Sequence, residues 1–280
     1  MGDSSKSGHG EQAQISNHSF GVDLAHDFGG AILFSFPLLM TMEMWWLGFY
    51  MDRFRLALFL ALTLLMVIGL SYFEGGEETF KIELLDALVA CAAGYTVAAI
   101  MLLLFGIIKP GMSADEIIGK ISLHAVPCNI GAILARRQLG VDETKKEKRR
   151  QQGYGAKLFL MGVGAVFLAF QLAPTEEMVL IGHMMTGWHA AALAVVSLCV
   201  MQAFIWSIER RQLARAFSAS FSGVFLRFTI VGYAFALLLS LYVLWTFERL
   251  DGAAAPEIVI ATLVLGFPAA LGASAARLIL

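Results

Sequence analysis

The sequence predicts an all-α, polytopic integral membrane protein whose eight transmembrane helices form two tandem parallel four-helix repeats. Three observations predict it. Hydrophobic residues fill 58% of the 280 positions and charged ones 15%, with a mean hydropathy of +0.73. A soluble domain has about half apolar and about a quarter charged residues. Apolar runs recur at the length of about 20 residues that a bilayer core of about 30 Å requires. Two separate segments of the first half also return, in the same order, in the second.

The first span covers residues 28–50 and holds Pro37 and Glu43; the second covers 54–73, after a turn at Asp52. The third is 82–108. The fourth, 117–135, is weaker, because Lys120, His124 and Asn129 interrupt it. The fifth covers 158–184 with Pro174 and Glu177, followed by 188–207, 221–247 and 257 to the C-terminus. These runs are long, continuous and without period-2 alternation, which excludes strands. The expected divisions are a polar tail (1–22), a first repeat (23–139), a charged linker (140–156) and a second repeat (157–280).

Orientation follows from lysine and arginine. With the N-terminus inside, the inner segments carry fourteen of them and the outer segments four. The positive-inside rule then places both termini in the cytoplasm. The basic run at 144–150 is read as an inter-repeat linker obeying that rule, with a lipid or nucleotide patch as the alternative.

Composition also excludes function classes. A water-soluble enzyme, a disordered chain and a collagen-like fibre do not fit it. The formal charge of −2 gives no case for nucleic acid as a partner. Cys91, Cys128 and Cys199 lack C-x-x-C spacing and lie in apolar runs, so they read as small buried hydrophobes. The polar first twenty residues carry no charged-then-apolar leader, and a cleaved signal peptide is not expected. No nucleotide loop, nucleophile elbow, haem pattern or zinc-protease motif is found, so neither enzymatic activity nor a cofactor is expected.

The duplication is specific. Residues 30–44 (GAILFSFPLLMTMEM) and 164–178 (GAVFLAFQLAPTEEM) are identical at seven of fifteen positions, at an offset of 134. The pattern P-x-x-[IL]-G-A-x-x-A-R runs from Pro127 to Arg136 and from Pro268 to Arg277, at an offset of 141. Units with an even number of spans enter the membrane from the same side, related by a pseudo-two-fold axis along its normal. The segment FSFPLLMTMEMWW (residues 34–46) resembles the signature of a family of bacterial integral membrane proteins of unknown function. That resemblance implies a bacterial inner-membrane location and supplies no activity.

Ionisable groups inside a span cost about 2.5–3.5 kcal/mol near its centre, so they are functional candidates by default. Glu43 and Glu177 occupy the same place in both repeats, each two residues after a threonine, Thr41 or Thr175, and each shortly after a proline. Carboxylate, hydroxyl and a carbonyl freed by proline suit a hard cation or a proton. The competing reading makes both glutamates outer-interface anchors beside Trp45 and Trp46. Glu176 replaces Met42 in the second copy, so identical sites are not expected.

Asp86 and Arg227 also align, as a pair across the pseudo-axis or as groups snorkelling at helix ends. His124 and Asn129 line a polar path or hydrogen-bond between helices. His183 and His189 lack the i, i+4 spacing of a helical zinc site, and no metal is expected. Gly131 and Gly272, with Ala135 and Ala276, read as close-packing positions, and Pro127 and Pro268 as kinks. The functional expectation is therefore a channel or secondary transporter for a cation or protons. Its partners are the bilayer, the ion and a second copy of the chain as a dimer. The rival is a non-transporting scaffold or intramembrane enzyme.

Overall fold

A computed structural model describes residues 21, 24–75, 80–139, 153–213, 223 and 225–279. The expected tail and most of the linker, with its basic run, lie outside those residues. Among the described residues every regular element is a helix. They are α1 (Leu24–Leu39), α2 (Met42–Tyr50), α3 (Arg53–Gly75), α4 (Phe80–Leu104) and α5 (Ala114–Leu139). Then follow α6 (Tyr154–Leu172), α7 (Glu176–Met184), α8 (Gly187–Leu213), α9 (Phe225–Thr246) and α10 (Ala255–Ile279). The first turns of α9, Phe225–Ile230, are a π-helix.

Seven of these helices are long and apolar enough to cross a membrane, and α1 with α2 makes an eighth if the bent pair counts as one span. The structure thus carries seven or eight candidate spans. The expected continuous first and fifth spans are each broken. α2 turns 89° away from α1, and α6 ends at Leu172 before α7 begins. Both breaks are made by threonine. Thr41 (φ −91°, ψ 123°) and Thr175 (φ −73°, ψ 143°) are extended and cannot continue a helix. Thr41 donates through its backbone N–H and its hydroxyl to the Leu38 carbonyl, at 3.1 and 2.8 Å. Thr175 does the same to Leu172, at 3.1 and 2.9 Å. The last carbonyls of a helix lack intrahelical donors, and these bonds supply one. The prolines differ: α1 runs on past Pro37, whereas Pro174 lies buried within the second break.

The expected third span ends early, at Leu104. Gly106 (φ 66°) and Gly111 (φ 94°) turn the following loop through left-handed backbone, which glycine adopts without strain.

Close helix contacts follow the small residues. A Cβ at Gly30 would lie within 3.0 Å of the Gly131 carbonyl oxygen and of the Ala135 Cβ. At Gly164 it would lie within 3.0 Å of the Gly272 carbonyl oxygen and of the Ala276 Cβ. α1 therefore meets α5, and α6 meets α10, almost backbone to backbone. Pro127 and Pro268 lie inside the continuous helices α5 and α10. The two halves join through aromatic rings: Phe59 of α3, fully enclosed, stacks on Phe170 at 5.3 Å and meets Phe247 at 5.8 Å. Polar ties between the halves gather on the face that carries α2 and α7. Arg55 pairs with Asp251 at 3.0 Å, and the Asp52 N–H donates to Glu248 at 2.7 Å.

Candidate functional site

Three polar neighbourhoods emerge. The first is at the breaks. Glu43 stands in the first turn of α2 and is half-buried; Glu176 and Glu177 stand in the first turn of α7 and are exposed. A carboxylate there complements the partial positive charge of a helix N-terminus. Neither threonine hydroxyl caps the helix that follows, since each donates backwards to the preceding helix. Trp45 also reaches back, its indole N–H donating to the Leu39 carbonyl at 3.0 Å. Trp46 is exposed.

The second neighbourhood is α5, 78% of whose apolar stretch is enclosed by protein, against 28% for α8. Lys120, near the end that faces α2, pairs with Glu116 one turn before it, at 2.6 Å. One turn further, the His124 Nδ1 lies 2.8 Å from the Lys120 carbonyl oxygen. A carbonyl only accepts, so Nδ1 carries the proton and the neutral ring keeps its lone pair on Nε2. Among the described residues that Nε2 is buried without a hydrogen-bond partner, as is the Asn129 Oδ1. Asn129 reaches α4 because residue 94 is glycine; a Cβ there would lie within 3.0 Å of Oδ1. Asp27 of α1, fully enclosed, lies one turn before Gly30, which touches Gly131 and Ala135. Glu83 of α4 is also buried, its backbone carbonyl accepting from the Ser71 hydroxyl at 2.9 Å.

The third is a cleft of about 280 Å³ between α7, the α9–α10 loop and the start of α10. His183, Arg249, Asp251, Glu257 and Ala261 line it. Arg249 donates from Nη2 to the Pro174 carbonyl, closing the second break from another element.

The family model described as "Putative integral membrane protein (DUF2391)" matches residues 23–280. The chain belongs to the DUF2391 family. No curated protein and no solved structure matches it.

As a DUF2391 protein the chain is an integral membrane protein with several helices long and apolar enough to cross the bilayer. Of the residues singled out in its sequence, the structure brings His124 and Asn129 onto one enclosed helix. Asp86, on α4, and Arg227, in the first turns of α9, are both exposed. His183 and His189 are exposed, with Nδ1 atoms engaged by Val179 (2.9 Å) and Thr186 (2.8 Å). Among the described residues no three His, Cys, Asp or Glu side chains converge as a metal site. Sequence reasoning passed over Asp27, Glu83, Arg249 and the Glu116–Lys120 pair. The last was visible as an i, i+4 acid–base pair at a helix start.

Proposed function

We propose that the protein moves protons, or another inorganic cation, across a bacterial inner membrane as a channel or secondary transporter. The observation that carries this reading is the line of enclosed polar groups on α5. An orphaned buried polar atom costs about 1–3 kcal/mol, and a helix that merely fills space gains nothing from two of them. From Glu116 to Asn129 the helix rises about 20 Å, at 1.5 Å per residue. Asp27 extends the polar line toward the opposite face. Lys120 would repel a metal cation on that line, whereas carboxylate, ammonium and imidazole all exchange protons. A proton is therefore the cation that fits best.

The proposal includes two tandem parallel repeats. Supporting it, each half has the order long helix, short nine-residue helix, then three long helices. The threonine breaks recur at the offset of 134, and the glycine crossings join residues related by 134 on one helix and 141 on the other. By the positive-inside rule, both termini are cytoplasmic and α2 and α7 line the outer face. Glu43, supported by Thr41, then stands at the outer mouth as the capture group, with Glu176 and Glu177 adding negative charge. The subunits assemble as dimers.

The second half supplies the controls. At the offset of 141, Lys120, His124 and Asn129 correspond to Ala261, Leu265 and Ala270. Lys120→Ala, His124→Leu and Asn129→Ala therefore install side chains that the other half already accommodates. Proton uptake into proteoliposomes, followed with a pH-sensitive dye, should fall at least tenfold in each variant. Unaltered uptake by folded His124→Leu protein would falsify the path.

A further inference from the structure

The two halves differ at one place in a way that defines a binding site. In the first half α2 lies on α5: a Cβ at Gly48 would lie 2.7 Å from the Lys120 Cα. The Lys120 ammonium occupies that junction, 2.6 Å from Glu116. In the second half α7 lies on α10 through the same pair of positions, but a Cβ at Gly182 would stand 3.9 Å from the Ala261 Cα. The contact is looser, and lysine has become alanine. Glu116 is retained as Glu257, yet no cation follows it one turn along the helix. The space is the cleft of about 280 Å³, with Gly182, Glu257 and Ala261 on its wall.

We propose that this cleft binds a primary ammonium group, which supplies from a ligand the charge that Lys120 supplies from the chain. Glu257 uses Oε2 to accept the Ala254 N–H at 2.9 Å, which leaves Oε1 to receive the ammonium. Asp251 is matched by Arg55 at 3.0 Å, and Arg249, a cation on the same wall, donates to the Pro174 carbonyl; exposed Glu257 has no ion pair among the described residues and is the carboxylate left for a second cation. His183 adds an acceptor: its Nδ1 serves Val179, and in the neutral ring Nε2 keeps the lone pair. No three ligating side chains converge there, so the donor set suits N–H groups better than a metal ion. The volume exceeds that of an ammonium alone and leaves room for a short stem. Leu180, Ile181 and Met184 of α7 and Val259 of α10 are exposed on the two helices that border the cleft, so apolar surface lies on the elements that carry it. The ammonium thus comes from an ethanolamine lipid head group or from a soluble alkylamine.

The site rests on the correspondence of the halves proposed above and is independent of ion movement. Its test reads stability. Protein in phosphatidylcholine nanodiscs is melted with increasing ethylammonium, and in parallel discs phosphatidylethanolamine replaces half the lipid. At a hundredfold excess over Kd, ethylammonium should raise Tm by about 5 °C. Tetramethylammonium, which has no N–H, should leave it unchanged. A rise with ethylammonium assigns a soluble amine, and a rise confined to the phosphatidylethanolamine discs assigns the lipid. Ala261→Lys should raise the starting Tm and abolish either response. Glu257→Gln, whose amide oxygen still accepts the Ala254 N–H, should abolish the response alone. No rise in either arm, an equal rise with the quaternary ion, or a full response in Glu257→Gln would overturn the site. Proton uptake would be untouched by any of these outcomes.

Discussion

Adding one methyl group at Gly30 should unseat α1 from α5. The new Cβ would lie within 3.0 Å of the Gly131 carbonyl oxygen and the Ala135 Cβ, and backbone cannot swing aside as a long side chain can. The helices must separate, at an overpacking cost of about 1–3 kcal/mol. Alanine returns about 0.5–1 kcal/mol by stiffening the helix. The net loss is about 1–2 kcal/mol, or roughly 2–4 °C in Tm for a chain of this length. The neighbouring glycine is the control. A Cβ at Gly29 meets nothing within 4 Å, so Gly29→Ala should raise Tm by about 1 °C. The second half repeats the experiment, since a Cβ at Gly164 would crowd the Gly272 carbonyl and Ala276. Gly164→Ala should cost what Gly30→Ala costs, and the double variant should lose the sum, because the sites share no partner. Melting curves in nanodiscs read all four proteins. Gly30→Ala as benign as Gly29→Ala, or unequal costs in the two halves, refutes the crossing and its recurrence.

Other outcomes follow from the same geometry. Phe59→Ala empties the stack between the halves and should cost about 3–5 kcal/mol, seen as a Tm loss of roughly 6–10 °C with unchanged helix content. Glu43→Gln with Glu177→Gln should slow proton uptake most at low driving force, with Glu43→Gln the more damaging single change. Uptake equal to wild type would return both glutamates to the role of helix-start residues. A cysteine placed within residues 144–150 should be labelled by a membrane-impermeant maleimide only after right-side-out vesicles are opened. Labelling of intact vesicles would invert the topology.

Much of the helical layout is legible in the sequence because the spans are long and continuous, and a hydropathy window needs nothing more. The crossings were legible too: glycine and alanine four residues apart at Gly131 and Ala135 mean close approach wherever they face a helix. The breaks at Thr41 and Thr175 were not, for a physical reason. α1 and α2 together read as one apolar stretch long enough to cross, although the chain turns through 89° between them. The signal lay in threonine followed by acid, the start of a new helix. That pattern also looks like a ligand set, which is why Glu43 and Thr41 drew attention as chemistry first. The Arg249 contact with Pro174 joins residues far apart in sequence through a loop, and no local pattern encodes it. The difference between Lys120 and Ala261 is present when the two halves of the sequence are set side by side, but only the structure shows a cleft beside Ala261.

Proton movement itself is the central claim, and purified protein in proteoliposomes tests it most directly. Under an inward proton gradient with the membrane potential clamped, the interior should acidify faster than in protein-free vesicles. His124→Leu should bring the rate back to that baseline. Wild-type vesicles as tight as protein-free ones, for protons and for a panel of monovalent cations, would contradict the account.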